Sequence, residues 1–564
     1  MPYETIISAR WYDYVPLVIY FTLVLGIGFM ARRKVSNALD FLLSGRSLPA
    51  WITGLAFISA NLGAVEIMGM SATGAQYGLP TAHYFWVGAI PAMLFLGVVM
   101  MPFYYGSKVR SVPEFMLKRF GVTAHLVNSI SFACAQLLIA GVNLYLLGSI
   151  VNAMLGWPMW VALIVAAAIV LSYITLGGLS AAIYNEVLQF FVIVAGLLPL
   201  TLIGMHRIGG WQGLVDRVSA SPCAPGQTYG CGAEQMSSWP GQALSGFGSP
   251  VLSVIGIVFG LGFVLSFGYW TTNFVEVQRA MASNSIRSAR LTPIIGSFPK
   301  MFIPFIVIIP GMIAAVLVPE IIAFKAGSGD TSITWNQSLL YLMRDVLPNG
   351  LLGLAVTGLL AAFMAGMAAN ISAFNTVITY DIWERYIQKN KSDGYYLKLG
   401  RIATIAATVI AIFTAAIAGQ FDNLMDYLQT LFGFFNAPLF ATFLLGMLWK
   451  RMTPTAGWVG LVFGTLSAVA VFVCNETGVI NLPGQGGAFV AAGAAFVVDI
   501  VLSVIVTQFT TPRKEEELVG FVYSLTPKER RQDHDGRTYP WYRRPVPLAG
   551  VSLAMVIVLN IIFA

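Results

Sequence analysis

Charge is scarce in this chain. Lys, Arg, Asp and Glu supply 10% of its 564 residues, where soluble domains carry about a quarter. Histidine and cysteine are scarcer, with four of each. The histidines do not gather at metal-ligand spacing. No phosphate loop of the GxxxxGK[ST] kind is present, which argues against an ATP-driven pump, and nothing points to an enzyme. The longest polar stretches, 207–246, 319–349 and 509–546, are too short for a soluble domain. Basic residues form no patch on a soluble face, so no nucleic-acid partner is expected.

Apolar residues fill the space instead, at 57% of the chain and a mean hydropathy of +0.76. They fall into about fourteen runs: 14–31, 49–70, 84–105, 126–154, 158–177, 182–205, 248–276, 294–318, 350–381, 401–419, 427–449, 456–475, 487–508 and 547–564. Each approaches the roughly 20 apolar residues that cross the hydrocarbon as a helix. The fold class is therefore an all-α integral membrane protein with about fourteen transmembrane helices.

Charge placement orients these helices. With the N-terminus outside, 26 of the 32 Lys and Arg residues fall on inner segments, 5 on outer ones, and Lys300 inside a span. That bias is a positive-inside pattern, with both termini outside a cell membrane. The net charge of +7 and pI near 9.1 report this topology. The triplet Arg32-Arg33-Lys34 follows the first apolar run, whereas a signal peptide carries its positive charge in front. The inner, basic loop 509–546 reads as a solvated anchor at the anionic leaflet.

Cys134 and Cys474 lie within spans and read as small core residues. Cys223 and Cys231 lie in the outer loop 207–246. Their spacing permits a disulfide in an oxidising compartment, the alternative being two unpaired thiols.

One span interrupts itself. Ile58-Ser59-Ala60-Asn61-Leu62-Gly63-Ala64-Val65-Glu66 places a carboxylate inside an apolar run. Irregular backbone persists at bilayer depth only beside a protected cavity. An ionisable group there is a functional candidate by default. Five spans later, Gly260 to Trp270 mixes helix-weakening glycines with the polar cluster Thr271-Thr272-Asn273. Matched interruptions in two halves point to a secondary transporter built as an inverted repeat of five plus five helices. The chain then divides into 1–48 (an extra helix and first inner loop), 49–206 (first repeat), 207–246 (outer loop), 247–450 (second repeat) and 451–564 (further helices with the basic loop).

A family resemblance runs through most of the chain. Asp40-Phe41-Leu42-Leu43-Ser44-Gly45-Arg46-Ser47-Leu48-Pro49, Ser59-Ala60-Asn61, Gly69 to Gly74 and Ser111-Val112-Pro113-Glu114-Phe115 carry its first half. Gly177-Gly178-Leu179-Ser180-Ala181, Gln278-Arg279, Phe374-Asn375-Thr376 with Asp381-Ile382, and Phe443 to Lys450 carry the rest. The chain resembles the solute:sodium symporter family, including its bacterial sugar transporters. The resemblance implies a leucine-transporter-like inverted repeat with flanking helices.

It also implies sites. Sodium in the resembling transporters is held by carbonyls at positions matching Ser59, Leu62 and Ala362 and by two serine hydroxyls. Those serines match Ala365 and Gly366 here, and a nearby aspartate matches Glu186. Two hydroxyls are thus missing from a site where a hard cation needs several oxygens. Tyr269, Trp270, Lys300 and Gln429 match positions that contact or gate sugar. Glu66 stands for a glutamine, Phe85 for a sugar-binding glutamate, and Ser266 for an asparagine. Aromatic faces and fixed donors suit a polyhydroxy solute.

Glu66 reads as a substrate ligand or proton acceptor, the plainer reading being an ion pair with Lys300. Lys300, between Phe298-Pro299 and Met301-Phe302, cannot snorkel to water. Glu186, near an inner helix end, reads equally as a functional acid or a solvated one. Glu276, near a helix end, and Asp499, on a peripheral helix, read as structural. The expected function is uptake of a sugar or polyol by alternating access, with sodium as the family's coupling ion. Alternatives are proton-coupled or ion-independent transport of a sugar or small carboxylate, and a transport-deficient solute sensor. A channel is disfavoured, since no segment reads as a selectivity filter. No cofactor beyond sodium or a proton is expected, and the partners are a small organic solute and the bilayer.

Overall fold

The computed structural model describes residues 6–32, 46–107, 109–223, 229–239, 241–328, 333–531 and 539–564, without the side chains of 31, 32, 172–178, 180, 530 and 531. The basic triplet Arg32-Arg33-Lys34 (save the backbone of Arg32), the Asp40 to Gly45 motif, and the side chains of Gly177, Gly178 and Ser180 lie outside this description.

The described residues form helices. Their one β contact is a bridge between Leu48 and Ser283. In chain order the long elements are α1 (Tyr14–Arg32), α2 (Ala50–Asn61), α3 (Val65–Tyr77), α4 (Leu79–Gly106), α5 (Val122–Leu155) and α6 (Met159–Ile208). Next come α7 (Pro250–Thr272), α8 (Ile286–Leu317), α9 (Leu351–Ile387) and α10 (Asp393–Ala418). The last are α11 (Leu424–Leu448), α12 (Pro454–Glu476), α13 (Gly486–Phe509) and α14 (Pro545–Ile562).

Among the described residues, twelve helices are long and apolar enough to cross a membrane, and the pair α2 and α3 makes a thirteenth, bent by 57°. The expected run 158–177 contributes only the shorter stretch Met159–Leu171, and its backbone continues as helix through to Ile208. The inner turn expected near 178–181 is therefore absent. Four backbone groups at each helix end need partners, and many ends here carry them. Ser111, Asn273, Ser392, Asn423 and Thr453 each accept a backbone N–H from the first turn that follows. Gly156 and Gly209 close α5 and α6 at φ 64° and 93°, a conformation costly for residues with a Cβ.

The core sits where α2, α3, α5, α7, α8, α9 and α11 meet, and small residues let the backbones approach. A Cβ on Gly311 of α8 would lie 1.9 Å from the Ser71 carbonyl oxygen of α3. The peripheral helices turn apolar faces outward, as lipid requires: Leu23, Ile164, Phe413, Phe463 and Ile561 are all exposed.

Of the loop expectations, the disulfide holds and the solvated inner anchor changes. Cys223 and Cys231 are joined, with Cα atoms 5.3 Å apart, and the loop that holds them packs over the helix ends. Gln235 donates to the Gln76 carbonyl and accepts from Lys325 Nζ at 3.1 Å, and burial holds the Lys325 ammonium below the ordinary lysine range. The segment after α13 is not merely solvated: Leu518 and Val522 are fully buried and Phe521 meets Phe115 at 5.5 Å between ring centres. Cys134 is exposed on its helix rather than packed in the core, and Cys474 is half-buried.

Candidate functional site

Two helix breaks face each other. The first runs over Leu62 to Ala64, between α2 and α3. The second lies at Asn273, not at the glycines expected to cause it. Gly256–Ser266 stays helical in wide, π-type turns. Asn273 then leaves the helical region (φ −70°, ψ 114°), and its side chain caps a new helix, Phe274–Met281, through the Val275 N–H. An asparagine ends a helix because its side chain offers the backbone an alternative partner.

Between the breaks lies a cavity of about 100 Å³, lined by α2, α3, α4, α5, α7, α8, α9 and α11 together with both breaks and the helix that follows the second. Of the expected substrate residues, Glu66, Ser266, Tyr269, Trp270, Lys300 and Gln429 line it. Phe85 does not reach the cavity wall but supports it: the Lys300 ammonium sits 4.8 Å from the Phe85 ring centre and 5.3 Å from that of Trp270. Those aromatic faces offset part of the cost of burying the ammonium.

Lys300 is buried and donates to Glu66 Oε1 at 2.5 Å and also to Asn61 Oδ1. The network then crosses to the second break. Asn61 Nδ2 donates to the Tyr269 hydroxyl at 3.0 Å, and that hydroxyl donates to Glu276 Oε1 at 2.9 Å. One chain of hydrogen bonds thus links α3, α8, α2, α7 and the helix after it. Trp270 stacks near Phe57 (5.5 Å) and Tyr269 against Phe432 (4.6 Å), which fixes both rings. Among the described residues Gln429 Nε2 donates to the weak acceptor Met425 Sδ at 3.4 Å, so its amide keeps capacity for a ligand.

The cation positions are arranged otherwise. Ser59, Leu62, Ala362 and Ala365 are fully buried and do not line the cavity; Gly366 does. Gly366 packs directly on the first break. A Cβ there would lie 3.0 Å from Gly63 Cα and 3.1 Å from Asn143 Oδ1. Glu186 is not solvated at a helix end. It is fully buried and takes two bonds from Arg279, Nη2 to Oε1 at 2.5 Å and Nε to Oε2 at 3.3 Å. Arg279 also donates to the Val275 carbonyl and Gln278 Oε1.

Glu276, expected to be structural, lines the cavity. The same signal that flags Glu66, an acid inside an apolar run, applied to it equally. Asn143, Asn370 and Tyr84 also line the cavity; only their polarity within spans could have marked them. Asp499 is buried on its peripheral helix, held by Thr442 at 2.7 Å and Ser503 at 3.1 Å, away from the cavity.

With this geometry in place, comparison with known proteins is direct. The model of the Sodium:solute symporter family matches residues 41–464. A sodium/glucose cotransporter of Vibrio parahaemolyticus is 28% identical over 471 residues, covering 80% of this chain and 83% of its own length. Sodium/glucose cotransporter 1 of Ovis aries is 28% identical over 569 residues, covering 94% and 84%. A sodium-coupled sialic acid symporter in a substrate-bound outward-open state shares the fold, with TM-score 0.70 at 18% identity over 90% of this chain and 99% of its own. A nucleobase-cation-symport-1 family transporter matches with TM-score 0.51 at 13% identity, over 85% and 96%. These relatives and neighbours are transporters, not enzymes.

Proposed function

The chain belongs to the sodium:solute symporter family, and we propose that it takes up a sugar or polyol across the cell membrane by alternating access. The observation that carries this reading is the cavity wall. It combines aromatic faces (Tyr269, Trp270, Phe432) with polar groups that both donate and accept (Lys300, Glu66, Gln429, Ser266). Sugars present apolar C–H faces and hydroxyls of both kinds, and such walls suit them. Lys300 and Glu66 neutralise each other, which favours an uncharged solute over a small carboxylate. The sodium/glucose cotransporters among the relatives support the same class.

Coupling is a separate reading. Sodium dependence is weak or absent in this protein, and a proton replaces it. Gly366 has no hydroxyl and abuts Gly63 closely. Ala365 has none either, and Glu186 is engaged by Arg279. A sodium ion would keep only the backbone half of the family's ligand set, too few oxygens for a hard cation.

Purified protein in liposomes tests both. Concentrative uptake of labelled D-glucose or D-galactose is expected, driven by an inward proton gradient and little changed by sodium. Absence of uptake for every hexose and polyol tried would overturn the substrate class. Steep sodium stimulation at fixed pH and membrane potential would overturn the coupling.

A further inference from the structure

The second helix break carries an unbalanced charge. Three carboxylates and two cations cluster there. Glu66 pairs with Lys300, and Glu186 with Arg279, each at 2.5 Å. Glu276 is left without a cation of its own. Its residue is fully buried; Oε1 accepts from Tyr269, and Oε2 has no hydrogen-bond partner among the described residues.

The groups that face Glu276 can be named. Arg279 is on its own helix, Tyr269 on α7, Glu186 on α6 and Lys300 on α8, while Glu66 on α3 faces Tyr269. Two helices packed against Phe274–Met281, namely Ala50–Asn61 and Leu351–Thr376, contain no ionisable side chain. Met101–Gly106 also packs there and brings Tyr104, whose hydroxyl is spent on the Thr271 carbonyl at 2.9 Å. One negative charge is therefore uncompensated at a depth where an isolated carboxylate is not tolerated.

A proton, an alkali cation or a cationic solute would restore balance. Oε2 exposes almost no surface, so neither a hydrated ion nor a solute sits on it without moving the side chain. A hard cation also needs several oxygens; here Oε1 already holds a hydroxyl donor. A proton needs no space. We propose that Glu276 is the proton-binding site of the transport cycle.

The step is simple to balance. A proton from water on one side bonds to Oε2 and leaves a neutral carboxyl group; on the other side the O–H bond breaks and the proton returns to water. The chain Glu276–Tyr269–Asn61–Lys300–Glu66 joins that carboxyl to the solute wall. Ionised Glu276 holds the Tyr269 hydroxyl more strongly than neutral Glu276, which alters the group against which solute packs. This assignment rests on the secondary-transporter reading and deepens it.

The test uses full-length protein in liposomes with ¹³C-labelled glutamate, which separates glutamyl from aspartyl carboxyl bands in the infrared. At neutral pH without any sugar, the C=O stretch of a protonated glutamic acid is expected in the native protein and is lost in Glu276→Gln. Glu276→Gln copies the neutral acid, so its melting temperature should match the parent. In transport, one pH unit of inward gradient is worth about tenfold accumulation of D-glucose for one-to-one coupling, and Glu276→Gln should reduce this to none. A native spectrum with no protonated glutamyl band overturns the proposal, even if the variant does not fold. So does a gradient response unchanged in Glu276→Gln, or one driven by sodium. Failure of D-glucose to exchange in either protein, with the infrared band present, would count instead against the sugar reading.

Discussion

Gly63 and Gly366 lie back to back where the first helix break meets α9: a Cβ on Gly366 would stand 3.0 Å from Gly63 Cα. In the resembling transporters a serine occupies the second of these positions. Here the backbone itself fills the space. Gly366→Ser is therefore expected to lower the melting temperature of the detergent-solubilised protein, by an overpacking cost of about 1–3 kcal/mol. It should not confer sodium stimulation. A variant as stable as the parent that gained sodium-dependent uptake would show that the missing hydroxyl, and not the closeness of the helices, sets the ion dependence.

Lys300 and Glu66 are joined across 234 residues of sequence. Removing one partner of a buried pair strands the other charge, at about 3–5 kcal/mol. Lys300→Met alone should therefore destabilise more than Lys300→Met with Glu66→Gln, and a thermal-denaturation cycle of the four proteins would display the coupling. Both forms, and Gln429→Ala, are expected to weaken D-glucose binding at least about tenfold, the cost of roughly 1.4 kcal/mol of lost contacts. Unchanged affinity in Gln429→Ala and the double variant would remove these side chains from the solute wall.

Much of this architecture is legible in local sequence. Apolar runs mark the spans. Asn61 to Glu66 announces the first break because an acid within such a run is too costly to persist unless a cavity or a partner receives it. The second break shows where local reading fails. Glycines at 260, 262 and 268 suggested it, yet that stretch stays helical, in wide turns up to Ser266, and Asn273 ends it through its side-chain cap. Glu276 looked like a helix-end residue because that cap was not recognised. Glu186 and Arg279 stand 93 residues apart, and their pairing depends on how α6 packs beside the second break. No periodicity encodes such a contact. The same holds for Phe85, which meets the site through the Lys300 ammonium.

The placement of basic residues predicts which side each loop occupies. In a background lacking Cys134 and Cys474, Ala220→Cys and Ser524→Cys, both on exposed residues, provide the check. An impermeant maleimide should label position 220 from outside intact cells and position 524 only after permeabilisation. External labelling at 524 would place the loop between α13 and α14 outside and reverse the orientation argued from charge.

Arg279 and Glu186 form a fully buried pair, and its role differs from that of Glu276 beside it. The family resemblance sets Glu186 against an acid near the cation site of the resembling transporters, so a reading in which it carries the coupling ion is natural. The geometry assigns it to structure: both its oxygens accept from Arg279, whose remaining donors hold the Val275 carbonyl and Gln278 Oε1. Gln278 passes the contact on to Thr376 at 2.8 Å, so the pair ties α6, the helix after the second break and α9 together. Glu186→Gln should cost about 3–5 kcal/mol, since it leaves the guanidinium buried and unpaired. The fraction that still folds should retain the proton dependence of uptake. Arg279→Gln should destabilise similarly, while Glu186→Gln with Arg279→Met should recover much of the loss. A stable Glu186→Gln variant with its proton response abolished would transfer the coupling role from Glu276 to Glu186.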